Sequence, residues 1–482
     1  MGQSKVAITR QDNALGLASS NVGAAQVKVG VCTGGTPGTR YKFTSKTALV
    51  AALTGGPAVE AAALVLDEQG GQVDVIPVTA SVSGTAGTIA SVSGTGTPLP
   101  TIAGTPNDFY EGLLKIIVGG AVATATFQYS LDGGNNWSGT ITTASTYVIP
   151  GTGLTITWTA GTYIAADVFG WTSTPSMFST GDLTTALNAL NADVGDYSIC
   201  HIVGQPGGIN DAAKATAAAA IAAVCETAAA AGAVLYHYAR FVTEMPDVSD
   251  ASLITAFAAT SAPDVACVAG FVQQVSAVTG RINKRSAAWS ICSRLQNKPL
   301  GQDPARVDVG PLPASVVSIW RNEAATPGLD DARFTTLCTY PGGSVASGTA
   351  VTGFYITNMP LMSPAGSDFK YFQHGQVMDE ACRIVVSVLR MSISQDIAIN
   401  DDATIDEGEA RAIERKFTTR LSDGLVSKRA VSAAAGVVNR TDLIGQTGLL
   451  RADVRVRPRG YVKQLAATVG FSFKLASAPP QQ

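Results

Sequence analysis

Apolar positions recur along this chain with different periods, and each period marks a different kind of element. From Tyr461 to Phe473 the period is two. Tyr461, Lys463, Leu465, Ala467, Val469, Phe471 and Phe473 fall on one side, and Val462, Gln464, Ala466, Thr468, Gly470 and Ser472 on the other. Strict alternation predicts a strand. At about 3.3 Å per residue it would run roughly 40 Å, well beyond the usual five or six residues. At 375–393, GQVMDEACRIVVSVLRMSI, the spacing becomes i, i+3/i+4: Val377, Met378, Ala381, Ile384, Val385, Val388 and Leu389 share one helical face. A second helix is predicted from the capping box Thr404-Ile405-Asp406-Glu407 through Ile413, Phe417 and Leu421. Between these helices and the long strand, VRVRPRG reads as a turn.

Upstream, elements alternate. VKVGVCTGG (27–35) reads as a strand entering a glycine turn, and two short helices follow, split at Gly55-Gly56-Pro57. From Gly181, GDLTTALNALNA predicts a helix, YSICHIVG a strand and NDAAKATAAAAIAAVCETAAAAG a long helix. That helix has Asn210 or Asp211 as N-cap and Gly232 as its stop. VLYHYARFV and DVACVAGFVQQ are predicted buried strands flanking the helix DASLITAFAAT. Alternating β and α implies a mostly parallel sheet covered by helices. Residues 295–370 read as a looped, Gly/Pro-rich region, and 1–25 as a polar arm.

The stretch from about 70 to 178 is different in kind. It is Thr, Ser, Gly and Val with Lys115 as its only base against Asp74, Asp108, Glu111, Asp132 and Asp167. LLKIIV reads as a buried run, TATFQYSL alternates, SLDGGNNWSG is a hairpin turn, and LTITWTAGTYIAADVFGWTST supplies two more strands. This predicts an inserted all-β, sandwich-like module.

Length and composition narrow the function. A chain of 482 residues implies two to four domains. With 33 Lys+Arg against 36 Asp+Glu it lacks the basic excess of a general nucleic-acid binder. The alanine-rich run aside, no window approaches eighteen apolar residues, and that run carries Lys214 and Glu226, so a packed helix is expected rather than a membrane span. The N-terminus shows no apolar signal segment, which predicts folding in a cytosol. Seven cysteines, an odd number without a C-x-x-C pair, read as buried free thiols of a reducing compartment. His201 and His237 sit in apolar strands as core or edge residues, and no histidine has the neighbours a metal site demands. No nucleophile elbow, phosphate-binding loop, dinucleotide fingerprint or zinc-protease motif is present. The five acids of NDDATIDEGE do not match a calcium loop and are expected to cap and charge a helix start. No cofactor, metal or catalytic residue is expected.

One charge pattern stands out. Residues 396–409 hold six acids (Asp396, Asp401, Asp402, Asp406, Glu407, Glu409) and no base, whereas 410–482 hold thirteen Lys/Arg against four acids. Such blocks offer a neighbouring copy a complementary surface, or simply face water. A heterologous contact that does not close gives a helical filament.

GQVMDEACRIVVSVLR, INDDATIDEGEARAIERKFTTRLSDGLV and RVRPRGYVKQLAATVGFSF, with the lead-in TNMPLMSPAGSDFKYFQHGQVMD, resemble the contractile tail sheath proteins of bacteriophages and related injection machines. FQYSLDGGNNWSGTITTASTYVIPGTGLTITWTAGTYIAADVFGWTS is similar to a β module inserted in some phage sheaths. The resemblance covers about half the chain. It implies an α/β core (26–69 plus 179–374) of sheath type, an all-β outer domain inserted at 70–178, and long extended N- and C-terminal arms. An α+β domain at 375–482 would face the tube and end in the linking strand 461–473. It further implies a non-enzymatic subunit that stacks in hexameric rings around a tail tube. Baseplate and tail terminator proteins would be its other partners, with no direct nucleic acid and no membrane insertion. The assembly would form in the host bacterial cytoplasm, belong to the virion, and contract to drive the tube through a target envelope.

On this reading Tyr461, Val462, Lys463, Gln464, Leu465, Ala466, Ala467, Thr468 and Val469 add to a neighbour's sheet, or else form an edge strand of their own domain. Arg455, Arg457 and Arg459 face Asp401, Asp402, Asp406 and Glu407 across an interface, or face water. A secreted β-rich adhesin would also account for 70–178, and a Rossmann-like ligand-binding protein for 181–290.

Overall fold

The computed structural model describes residues 26–193, 197–340, 352–364, 366–390 and 396–461. The chain opens with β1 (Gln26–Gly30) and β2 (Tyr41–Phe43), then α1 (Lys46–Leu53), α2 (Pro57–Glu68) and β3 (Val73–Pro77). The two helices part where the sequence indicates. Gly56 takes φ +103°, and Pro57 holds the first helical position, where its missing N–H is no loss. VDVIP of β3 pairs parallel with β1 and is buried along its whole length. Residues 73–77 therefore belong to the core sheet, and the β-rich segment starts only after them. A strand buried on both faces needs no alternation, so the Thr/Gly-rich composition around it misplaces the boundary.

That segment carries β4 (Ala90–Ser93), β5 (Thr101–Gly104), β6 (Glu111–Val118), β7 (Gly120–Ala121), β8 (Thr126–Ser130), β9 (Ile141–Thr142), β10 (Thr146–Ile149), β11 (Leu154–Thr157), β12 (Thr162–Tyr163) and β13 (Val168–Thr172). They form a five-stranded sheet β4-β13-β6-β8-β9, a three-stranded sheet β10-β11-β5 and the pair β12-β7. Phe127, Trp158, Tyr163 and Phe169 fill the interior, with ring centroids 4.7–6.4 Å apart. Two local expectations change. LLKIIV is not buried throughout: Leu114 and Ile116 point inward while Lys115 and Ile117 face water. The stretch 154–172 yields three strands rather than two. An antiparallel bridge between Val82 and Met177 closes the neck.

The chain then returns to the core through α3 (Thr180–Ala192), β14 (Ile199–Val203), α4 (Asp211–Val234), β15 (Arg240–Glu244), α5 (Asp250–Phe257) and β16 (Val265–Val268). The six-stranded sheet has the order β16-β15-β14-β1-β3-β2 and is parallel except for β2. One face packs on α3, α4 and α5 through Val27, Val29, Cys200, Ile202 and Phe241. The other carries Ile199, Val242 and Val75 towards α2 and a later helix, α6 (Ala288–Leu295). α4 is long and apolar enough to span a membrane, with 39% of its most apolar window buried here.

Gly232 does not end α4. The helix runs to Val234, and the left-handed residue is Tyr236 (φ +66°), with His237 N–H on Gly232 O at 2.9 Å and Tyr236 N–H on Ala233 O at 3.0 Å. Gly232 is required instead for close packing, since a Cβ there would meet Asn191 Oδ1 and His237 O at 3.0 Å. In VLYHYARFV, Val234 closes α4, residues 235–239 form the connection and only Arg240 onward is strand, so His237 lies in the connection rather than in a strand. DVACVAGFVQQ breaks at Gly270 (φ +112°) into β16 and β17 (Phe271–Val275). β17 leaves for a second sheet, ordered β18 (Ile282–Ser286), β17, β19 (Val316–Ile319). The pair β20 (Leu337–Cys338) and β21 (Tyr355–Ile356) lies in the looped region. The chain continues through α7 (Phe372–Arg390), α8 (Glu407–Leu421), β22 (Val431–Val438), α9 (Ile444–Thr447) and β23 (Ala452–Pro458).

Candidate assembly interface

α7 joins the two halves of the molecule. Its first turns are buried against the parallel sheet, where Arg240 of β15 holds Asp379 through Nε at 2.8 Å and Nη2 at 2.6 Å and also contacts Asp264. Gly375 makes room for that guanidinium, since a Cβ would stand 2.6 Å from Arg240 Nε. The last turns of α7 join Ile413, Phe417 and Leu421 of α8 in a separate apolar cluster under β22 and β23. Gly436 of β22 leaves space for the Phe417 ring, which a Cβ would meet at 3.0 Å.

The start of α8 differs from the expected capping box. Its N-cap is Asp406, whose side chain accepts from Gly408 N–H and Glu409 N–H. Thr404 instead donates through Oγ1 to Asp402 at 2.6 Å. Arg440, in the loop after β22, clamps the helix by donating to Glu407 at 3.0 Å and to Glu414 Oε2 at 3.0 Å. The hydrogen bonds from Arg440 and Arg411 hold the Glu407 carboxyl down to about 2. Nothing local in the sequence marks Arg440, whose partners Glu407 and Glu414 lie on another element.

VRVRP is a strand, not a turn. β22 and β23 form an antiparallel ribbon with a register shift between Val431 and Ala433. Among the described residues no third strand pairs with either, although the Val438 N–H of β22 donates to Glu414 Oε1 at 2.8 Å. An isolated two-stranded ribbon is marginal by itself; this one rests on α7 and α8 through Ala434, Ala452, Val454 and Val456. On the opposite face Arg455, Arg457 and Arg459 are exposed. Arg455 lies 3.5 Å from Asp453, Arg457 Nε donates to Ser432 Oγ at 3.0 Å, and Arg459 donates to Arg429 O at 3.0 Å.

Within one subunit the arginines and the acids are thus not brought together. Asp402, Asp406 and Glu407 serve local partners, and Asp401 is exposed. Tyr461 is the last described residue. Its hydroxyl donates to Gly301 O at 2.5 Å and its ring lies 5.2 Å from that of His374. Burial, with Asp303 nearby, pushes the phenol up to about 12. Val462, Lys463, Gln464, Leu465, Ala466, Ala467, Thr468 and Val469 lie outside the described residues, as does the arm 1–25.

Residues 3–359 match the DUF2586 N-terminal domain. No curated protein matches the sequence. Among solved structures, a chain of the anti-feeding prophage baseplate, six-fold symmetrised, superposes with a TM-score of 0.54 at 10% identity, covering 98% of this chain and 100% of that one. A chain of the same baseplate in its contracted state gives 0.55 at 10% identity over 98% and 99%. The sheath tail protein of Listeria innocua matches at 0.44 and 11% identity over 90% of this chain and 95% of its own. At such identities the likeness to the baseplate chains is one of fold, and it runs the length of both proteins.

Proposed function

The chain belongs to the DUF2586 family, and we propose that it is a structural subunit of a contractile tail sheath, polymerising around a tail tube and contracting to drive that tube through a target envelope. The observation that carries this reading is the β22–β23 ribbon, which no third strand joins among the described residues, in a chain that shares its fold end to end with a baseplate component. Residues 461–473 and 1–25 add strands to the ribbons of neighbouring subunits, linking hexameric rings while the bodies between the links rotate. Each main-chain hydrogen bond contributes about 1 kcal/mol net, so several per link hold the lattice. Tyr461, the last described residue, is anchored at Gly301.

The outward Arg455, Arg457 and Arg459 meet the 396–409 acids of a neighbour, with Asp401 free to do so. The β-rich segment lies on the outside of the particle and the unit from α7 onward faces the tube. A truncation after Gly460 tests the linkage. It should leave a folded protein that forms no polymers; polymers of ordinary length from the truncated chain would refute strand linkage.

A further inference from the structure

A row of polar groups in close contact runs through the interior from the β-rich segment to the first strand of the core. Asp108, just before β6, grips Arg285 of β18 with both oxygens, at 2.6 and 2.5 Å. The Arg285 guanidinium lies 4.8 Å over the Trp289 ring of α6. The indole N–H donates to Glu244 Oε1 at 2.7 Å, and that oxygen stands 3.2 Å from His201 Nε2. His201 Nδ1 is 3.1 Å from Lys28 Nζ, which donates to Gln26 Oε1 at 3.0 Å. Gln26 Nε2 then returns to α6, donating to Cys292 O at 2.5 Å. Every member is buried.

Such a row is costly. Each buried ion loses several kcal/mol of hydration, and well-packed apolar groups of similar volume often serve stability as well or better. The neighbours of these groups in the sheet are Val27, Val29, Ile202 and Val242. What a row of close buried contacts adds is one preferred arrangement, because moving one member disturbs the next. Its two ends are informative. Asp108 lies in the segment that leaves the core at Val82–Met177, and Gln26 directly follows residues 1–25.

We propose that the row from Asp108 to Gln26 is a coupling strut, which fixes the β-rich segment against the strand from which residues 1–25 depart, so that a displacement at one end is felt at the other. Its use in a contracting lattice rests on the sheath reading; the coupling itself does not. Hydrogen–deuterium exchange with peptide mass spectrometry on the full chain tests it, because exchange reports on each subunit whether or not subunits assemble. In Asp108→Asn, peptides covering Gln26–Gly30 and Ile199–Val203 should exchange roughly tenfold faster. The control is Asp167→Asn, buried in the same segment but bonded to Thr95, at 2.9 and 2.7 Å, and it should leave those peptides unchanged. Unchanged exchange at 26–30 in Asp108→Asn, or equal acceleration by both substitutions, would overturn the proposal. Where Asp108→Asn does not accumulate, Arg285→Lys is read the same way, since it keeps the charge and loses the two-pronged contact.

Discussion

Glu244 ends β15 with its carboxyl group inside the protein. Burial pushes its pKa up to about 8, although the Trp289 N–H, the Gly204 N–H and Lys28 all pull it down. An acid that holds its proton more tightly when folded stabilises the fold fully below its ordinary pKa of 4.5, and that contribution is lost as pH rises through about 8. Lys28, lowered by burial, works the other way; Glu244 is among the charges that hold it up, so Glu244→Gln lowers it further and strengthens the same trend. Across pH 5 to 8.5, thermal melts should therefore show the wild type losing Tm relative to Glu244→Gln; parallel curves would show that Glu244 stays ionised in the fold. A steric prediction belongs to this scale too. Gly375→Ala places a methyl group against Arg240 and should cost about 1–3 kcal/mol by overpacking, net of a helix-propensity gain of up to about 1 kcal/mol. Arg240→Ala strands the buried Asp379 and should cost about 3–5 kcal/mol in urea unfolding.

Helix ends decide the next scale, and they show what a sequence does and does not reveal. Asp406→Ala should lower stability by about 1 kcal/mol, the usual worth of an N-cap, while Thr404→Ala should cost less than half of that. The reverse order would restore the capping box at Thr404. Elements with strong periodicity, such as α3, α7 and the strands β1 and β14, were legible because their apolar spacing is imposed by burial. The end of α4 was not, because a tyrosine occupies the left-handed position where glycine is favoured; Arg390, 4.5 Å over the Tyr236 ring, helps to hold it there. β3 was misplaced because composition changes before topology does. The ribbon strand β23 was hidden by its arginines, which alternate outward on a face that no apolar residue marks. Lys28, His201 and Glu244 come from strands far apart in sequence, so nothing local announces that they meet.

The whole molecule is an α/β core with a β-rich excursion and a C-terminal helix-and-ribbon unit, and the proposed contact between copies makes a prediction about its exposed arginines. Replacing Arg455, Arg457 and Arg459 together by Glu should leave the melting temperature nearly unchanged, since the three are exposed. The same change should abolish polymers, as read by sedimentation. Raising salt should shorten wild-type polymers in the same assay, because exposed charge pairs are screened. The most direct measurement is negative-stain electron microscopy of the full chain purified alone. The account predicts hollow tubes with a striated helical repeat; discrete monomers or small closed rings, persisting when tail tube protein is added, would contradict it.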